Sequence, residues 1–211
     1  MRLKFDLHVH TVNSRDAFTD LDELSSFCRV RGLNGVAITD HNHACPEVPG
    51  GTIGIPGIEV SSKDGHVVGL GLTSQVRKGL SADETIREIH RQGGVAVIPH
   101  PYERLRPSVN PDLLTVRPDA IEVFNASTIL RSLTRKRAIG FATETGLPPI
   151  AGSDSHIPQT IGTAYTLVDS YSTEPASLLE AIKNGHVQPM GESIWLSQRL
   201  RKLLLQARRS R

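Results

Sequence analysis

The chain is short of aromatic residues, cysteine and methionine. Phe, Trp and Tyr together make up 4% of its 211 residues. The core must therefore be aliphatic. Two cysteines, Cys28 and Cys45, exclude a disulfide framework. They read instead as small buried or loop residues. The N-terminus begins a strand at once and shows no signal-peptide pattern, which predicts a cytoplasmic protein. No apolar run approaches the roughly 18–20 residues of a membrane-spanning helix. Neither a Gly-x-Gly-x-x-Gly fingerprint nor a Walker loop occurs, which removes the usual nucleotide-binding motifs of open sheets.

What is present is ordinary in amount and unusual in arrangement. Hydrophobic residues make up 38% and charged residues 22%, and the length suits one domain with a sizeable core. The net charge of +2 is uneven. Arg199, Arg201, Lys202, Arg208, Arg209 and Arg211 fall in the last thirteen residues with no acid among them, so the remainder is net acidic. Such a tail reads as a solvated helix end, with a weak nucleic-acid contact through 199–211 as its alternative.

Short β runs alternate with helical stretches. Strands are predicted at 3–9, 35–39, 53–60, 66–72, 95–98, 120–124, 148–151 and 163–168. Near-continuous apolar runs such as 35–38 and 95–98 suit strands buried on both faces of a parallel sheet. Helices are predicted at 20–31, from Ser81 to Gly93-Gly94, and at 129–145, 175–184 and 193–208. Ser81 and Glu84 have capping-box spacing. The last helix is amphipathic, with Ile194, Leu196, Leu200, Leu203 and Leu204 expected to face the body. Residues 1–192 are expected to form one barrel domain, with 193–211 a basic helix packed on it. Repeated βα units allow a barrel or a doubly wound sheet.

Metal-type residues fall at the ends of these strands. His8 and His10 end the first, on one face with Asp6 because strand side chains alternate. Asp40-His41 ends the second and Glu59 the third. His100 follows 95–99, Glu122 and Asn125 close 119–124, and Asp154 and His156 follow 149–153. In a parallel αβ barrel the active site lies at the C-terminal strand ends. His66 departs from the pattern, since it begins an apolar run, and is expected on a hairpin-like excursion near the rim. The loops 42–52 and 101–111 are the most irregular and are expected to carry substrate contacts.

His8-x-His10, Asp16, Asp40-His41, Gly57-Ile58-Glu59, His66 before Gly-Leu-Gly-Leu, His100-Pro101-Tyr102 and Gly152-Ser153-Asp154-Ser155-His156 resemble the motif set of the PHP (polymerase and histidinol phosphatase) family. The resemblance runs from residue 3 to about residue 190. It implies an α/β fold, a distorted (β/α)7 TIM-like barrel, with two to three divalent ions (Zn, Mn or Fe). His8, His10, Glu59 and Asp154 would hold one ion. Glu59 would bridge to a second, completed by His66 and His100. Asp16, His41 and His156 would hold the third. The catalytic set would be Glu59, Asp154 and His156. The implied chemistry is a phosphoesterase in which a bound hydroxide attacks phosphorus, acting on a small phosphomonoester or nucleotide. Asp6 and Asp40 are expected to orient imidazoles. Arg15, His43, Arg104, Arg106 and Asn125 are the candidate substrate contacts.

Rival readings keep the residues and change the role. A nuclease would act on nucleic-acid ends, with the basic tail as its motive. A non-catalytic module would have lost ligands, and none of the motif residues is missing here. Amidohydrolase-type barrels share His-x-His but commonly use a carboxylated lysine, and no lysine here sits at a suitable strand end. The oligomeric state is left open.

Overall fold

A computed structural model describes residues 1–45, 50–129 and 131–209, with Arg131 described by its backbone alone. Nine strands form one sheet in the order β7-β6-β5-β4-β3-β2-β1-β8-β9. They are β1 (Arg2–Val9), β2 (Gly35–Ile38), β3 (Ile53–Ser61), β4 (His66–Leu70), β5 (Val95–Ile98), β6 (Ala120–Asn125), β7 (Pro149–Gly152), β8 (Ala164–Asp169) and β9 (Val187–Gly191). The helices are α1 (Leu21–Val30), α2 (Ala82–Arg91), α3 (Arg131–Thr145), α4 (Pro175–Lys183) and α5 (Leu196–Arg209).

The first seven strands curl into a barrel that closes where the end of β7 meets the end of β1. Asp154 N donates to His8 O and His10 N to Ser155 O, both at 2.9 Å. The other half of that β1 edge pairs with β8, antiparallel, from Arg2 to Phe5. β7 and β8 are linked by a side chain: Thr166 Oγ1 donates to Ala151 O and accepts from Ala151 N. The result is a distorted TIM-like barrel, as the motifs implied.

Inside it, Leu7, Ala37, Ile55, Val68, Val97, Ala120 and Ile150 belong to one buried cluster. Each comes from a different one of the seven strands. This is the aliphatic layer that a chain poor in aromatics must use. Phe5 is the one aromatic among the largest fully buried side chains.

Besides the antiparallel β1–β8 pairing, the sheet departs from a purely parallel one in two places. β4 runs antiparallel to both neighbours. His66 is therefore its first residue, yet it sits at the same rim as the last residues of β3 and β5. The reversal explains why a ligand-type residue precedes an apolar run, and makes 66–70 part of the barrel wall rather than an excursion from it. β9 is the second departure, a strand whose Pro189 and Gly191 hide it in sequence. Among the described residues it pairs only with β8, and proline is tolerated on an edge strand.

Helix ends follow local chemistry unevenly. Ser81 and Glu84 form the expected capping box on α2, whereas Asp20 stands at the cap of α1 without a side-chain bond. The larger surprise is α5. Leu196, Leu200, Leu203 and Leu204 are 51–71% exposed, and the helix turns its polar side to the barrel. The expectation that its leucines pack on the body is thus corrected. The reason lies in the rim beneath it, which offers carbonyls and a carboxylate rather than apolar surface. Among the described residues no helix is long and apolar enough to cross a membrane.

Candidate metal centre

Six imidazoles and three carboxylates converge at the carboxy-terminal mouth of the barrel. Glu59, near the end of β3, stands at the middle. Its Oε1 lies 3.0 Å from His66 Nδ1, 3.1 Å from His100 Nε2 and 3.5 Å from His8 Nε2. Its Oε2 lies 3.0 Å from His41 Nδ1 and 3.4 Å from His10 Nε2. Asp154 Oδ1 is 3.3 Å from His10 Nε2 and 3.5 Å from His156 Nδ1. Asp16 Oδ2 is 3.1 Å from His156 Nε2. All nine residues singled out as ligands in the sequence therefore come together in one site.

The network around the rings assigns their protons. Glu122 Oε1 takes a 2.9 Å bond from His8 Nδ1. Ser14 Oγ donates to Asp40, accepts from His41 N, and lies 3.3 Å from His10 Nδ1. A hydroxyl has one proton to give, so His10 Nδ1 must be the donor there. Both rings then carry hydrogen at Nδ1 and aim Nε2 inward, and the two Nε2 atoms are 3.2 Å apart. Two lone pairs at that distance repel unless positive charge lies between them. Glu59 and Asp154 supply the matching negative charge. The donor set therefore fits divalent ions that accept imidazole and carboxylate together. Three overlapping groups have this geometry: His8, His10 and Glu59; His41, Glu59 and His66; and His10, His41 and His156.

Titration behaviour follows from the crowding. Burial alone would raise the Glu59 pKa, but His66, His8, His100 and His41 outweigh it and hold it well below the carboxylate range. Burial is likewise outweighed at Asp154 by Arg106 and His8, which keep it ionised. Burial and the neighbouring His156 and His41 hold His10 well below the usual imidazole range. At His8 the acids Glu122, Asp154 and Glu59 overcome burial and push the value well up.

The backbone is bent to achieve this. Asp154 (φ 53°) and His100 (φ 32°) occupy the left-handed region, a strained conformation for residues with a Cβ. Gly152 lets β7 approach β1, since a Cβ there would come within 2.4 Å of the His8 Cβ and 2.7 Å of Glu122 Oε1.

The supporting roles differ from those expected. Asp6 does not orient an imidazole. Its carboxylate accepts from the backbone N–H of His8, Ser153 and Gly162, and so ties β1 to the segments following β7. Asp40 acts on His10 only through Ser14, and it also holds Thr11. Among the acids that support the cluster, it is Glu122 that touches one of its imidazoles directly, and its other oxygen accepts from His100 N and Asn125 Nδ2. Its sequence signal was its place on β6, three residues before Asn125, the last residue of that strand.

Among the substrate candidates, Arg106 reaches the centre. It pairs with Asp154 and donates to Asn125 Oδ1 and Thr128 Oγ1. Asn125 also donates to Glu122 and Asp154. Arg15, His43 and Arg104 are exposed, and among the described residues no hydrogen bond or ion pair joins their side chains to the cluster. Part of the 42–52 loop, residues 46–49, lies outside the described residues.

The fold and site of the chain define a barrel of the PHP type with a mouth built for metal ions. The family model described as PHP-associated matches residues 133–187. An uncharacterized protein of Methanocaldococcus jannaschii is 33% identical over 141 residues, covering 59% of this chain and 82% of that one. A two-domain protein of Bacteroides vulgatus, described as containing a predicted PHP-like metal-dependent phosphoesterase, superposes with TM-score 0.70. The identity is 19%, over 98% of this chain and 70% of that one. Endonuclease Q, in complex with a 27-mer duplex carrying an abasic lesion, superposes with TM-score 0.71. Here the identity is 17%, over 92% of this chain and 60% of that one. The chain belongs to the PHP family.

Proposed function

We propose that the chain is a metal-dependent hydrolase of phosphoric ester bonds, acting on a small phosphomonoester or nucleotide. The observation that carries this reading is the convergence of five imidazoles on the single carboxylate of Glu59. A carboxylate so surrounded suits a bridge between two ions. His8, His10 and Asp154 would complete one position, His66 and His100 the second, and Asp16, His41 and His156 a third. When bound, such ions supply Lewis-acid charge to phosphate oxygens and a nucleophile at neutral pH.

The side chains do the rest. Glu122 and Ser14 fix the proton on Nδ1 of His8 and His10 and keep each Nε2 free to ligate. Arg106 presents a guanidinium that can leave Asp154 for a phosphate oxygen. Of the catalytic set Glu59, Asp154 and His156, the last lies between the two acids Asp154 and Asp16. Purified protein supplied with Mn or Zn is expected to hydrolyse p-nitrophenyl phosphate or a member of a nucleotide panel. Failure on all of them would sink the proposal.

A second reading keeps the site and changes the substrate to a nucleic-acid end. Its support is the run of basic residues at 199–211 and the likeness to Endonuclease Q. Removing that segment should then weaken DNA or RNA binding with a marked salt dependence, and unchanged binding would remove this alternative.

A further inference from the structure

One cation on the underside of α5 is held differently from its neighbours. Arg199, Lys202, Gln206 and Arg209 share a helix face, being spaced three or four residues apart. Arg199 donates to Ser127 O and Thr128 O, beyond the end of β6. Gln206 donates to Asp16 O, and Arg209 to Arg15 O and Ala17 O, in the loop after β1. From Arg199 to Arg209 the helix runs about 15 Å. It is therefore fastened at both ends across one side of the barrel mouth. Lys202 lies between the fastenings and fastens nothing. Its side chain is 30% exposed, and among the described residues its ammonium makes no hydrogen bond. Its ion-pair partner is Asp16, at 3.9 Å, too far for a hydrogen bond. Thr128 links the two cationic sides of the mouth, since its Oγ1 accepts from Arg106 and its O from Arg199.

We propose that Lys202 is a substrate-binding residue which, with Arg106, clamps the terminal phosphate of a small phosphomonoester. This rests on the phosphoesterase reading and narrows it. A monoester dianion offers three peripheral oxygens to ions and cations, whereas a diester offers two and carries a second organic arm. An arm passing under α5 would meet a helix held at both ends. The clamp accordingly favours monoesters over diesters and places nucleic-acid chains among the poor substrates.

The test compares the wild type with Lys202→Ala, Lys202→Arg and Arg201→Ala, all loaded with Mn. Arg201 is exposed on the same helix and controls for loss of one charge. Inorganic phosphate binding is measured by calorimetry, and KM and kcat with p-nitrophenyl phosphate and bis(p-nitrophenyl) phosphate. Lys202→Ala should weaken phosphate binding and raise the monoester KM by about ten- to hundredfold, the scale of one charged hydrogen bond. Its kcat should change far less, its metal content should not change, and the diester KM should shift by no more than about threefold. Lys202→Arg should recover most of the phosphate affinity, and Arg201→Ala should resemble the wild type. Unchanged phosphate affinity in Lys202→Ala, or an equal loss in Arg201→Ala, overturns the proposal. If the wild type cleaves neither ester, the phosphoesterase reading fails, and phosphate affinity still judges the clamp by itself.

Discussion

The barrel mouth and helix α5 break the same rule in opposite directions. At the mouth, His8, His10, Glu59, His100 and Asp154 are charged or polar and at most 3% exposed. On α5, Leu196, Leu200, Leu203 and Leu204 are apolar and at least half exposed. Burying unpaired charge is costly, so the mouth persists because almost every group there has a partner. Exposed leucines cost little individually, and α5 is held instead by its polar side. The difference shows where the fold is committed. Strain at Asp154 and His100, the close approach at Gly152 and the Glu122 contact are all spent on one cluster, while the helix above it is fastened by a few hydrogen bonds.

Glu59 should be the most sensitive position. Glu59→Gln keeps the shape and removes the shared negative charge. Hydrolysis is expected to fall by about 10³-fold or more, several kcal/mol of charge stabilisation, with metal content falling in parallel. Near-normal turnover in that variant would mean that the crowding around Glu59 is structural. Glu122→Gln should act one step away. Loss of the carboxylate that polarises His8 is expected to weaken metal affinity about 10- to 100-fold, measured by competition with a chelator. Gly152→Ala should cost about 1–3 kcal/mol in thermal or denaturant unfolding, as overpacking does. Retained stability would show that β7 can withdraw from β1.

The opposite outcome is expected on α5. Leu200→Gln with Leu204→Gln should change stability by about 0.5 kcal/mol or less per substitution, as at other exposed sites. A loss of 2 kcal/mol or more would show that these leucines are covered in solution. Smallest of all, Cys28 should resist Ellman's reagent in the native state. Burial pushes its thiol pKa up to about 11, so little thiolate exists near neutral pH.

Much of this was legible in the sequence, for physical reasons. Ligand types at successive strand ends mark a barrel mouth because strands in such a barrel share an end, and the seven ligand candidates read that way, His8, His10, His41, Glu59, His100, Asp154 and His156, do meet, joined by Asp16 and His66. His66 shows the limit of the rule. Nothing in its own run reveals that β4 is reversed, and only pairing with β3 and β5 does. Asp6 and Glu122 were harder to rank. Both are buried acids on strands, and which one reaches an imidazole depends on how β1, β6 and β7 close together. For α5 the pattern identified an amphipathic helix, but periodicity cannot say which face docks when the surface beneath it is polar.

The most direct test of the metal-dependent account is the metal content of the purified chain after reconstitution with Mn or Zn and removal of loose ions. Two to three ions per chain in the wild type, with a clear reduction in Glu59→Gln, is the expected result. A folded wild-type chain that retains none would contradict the account.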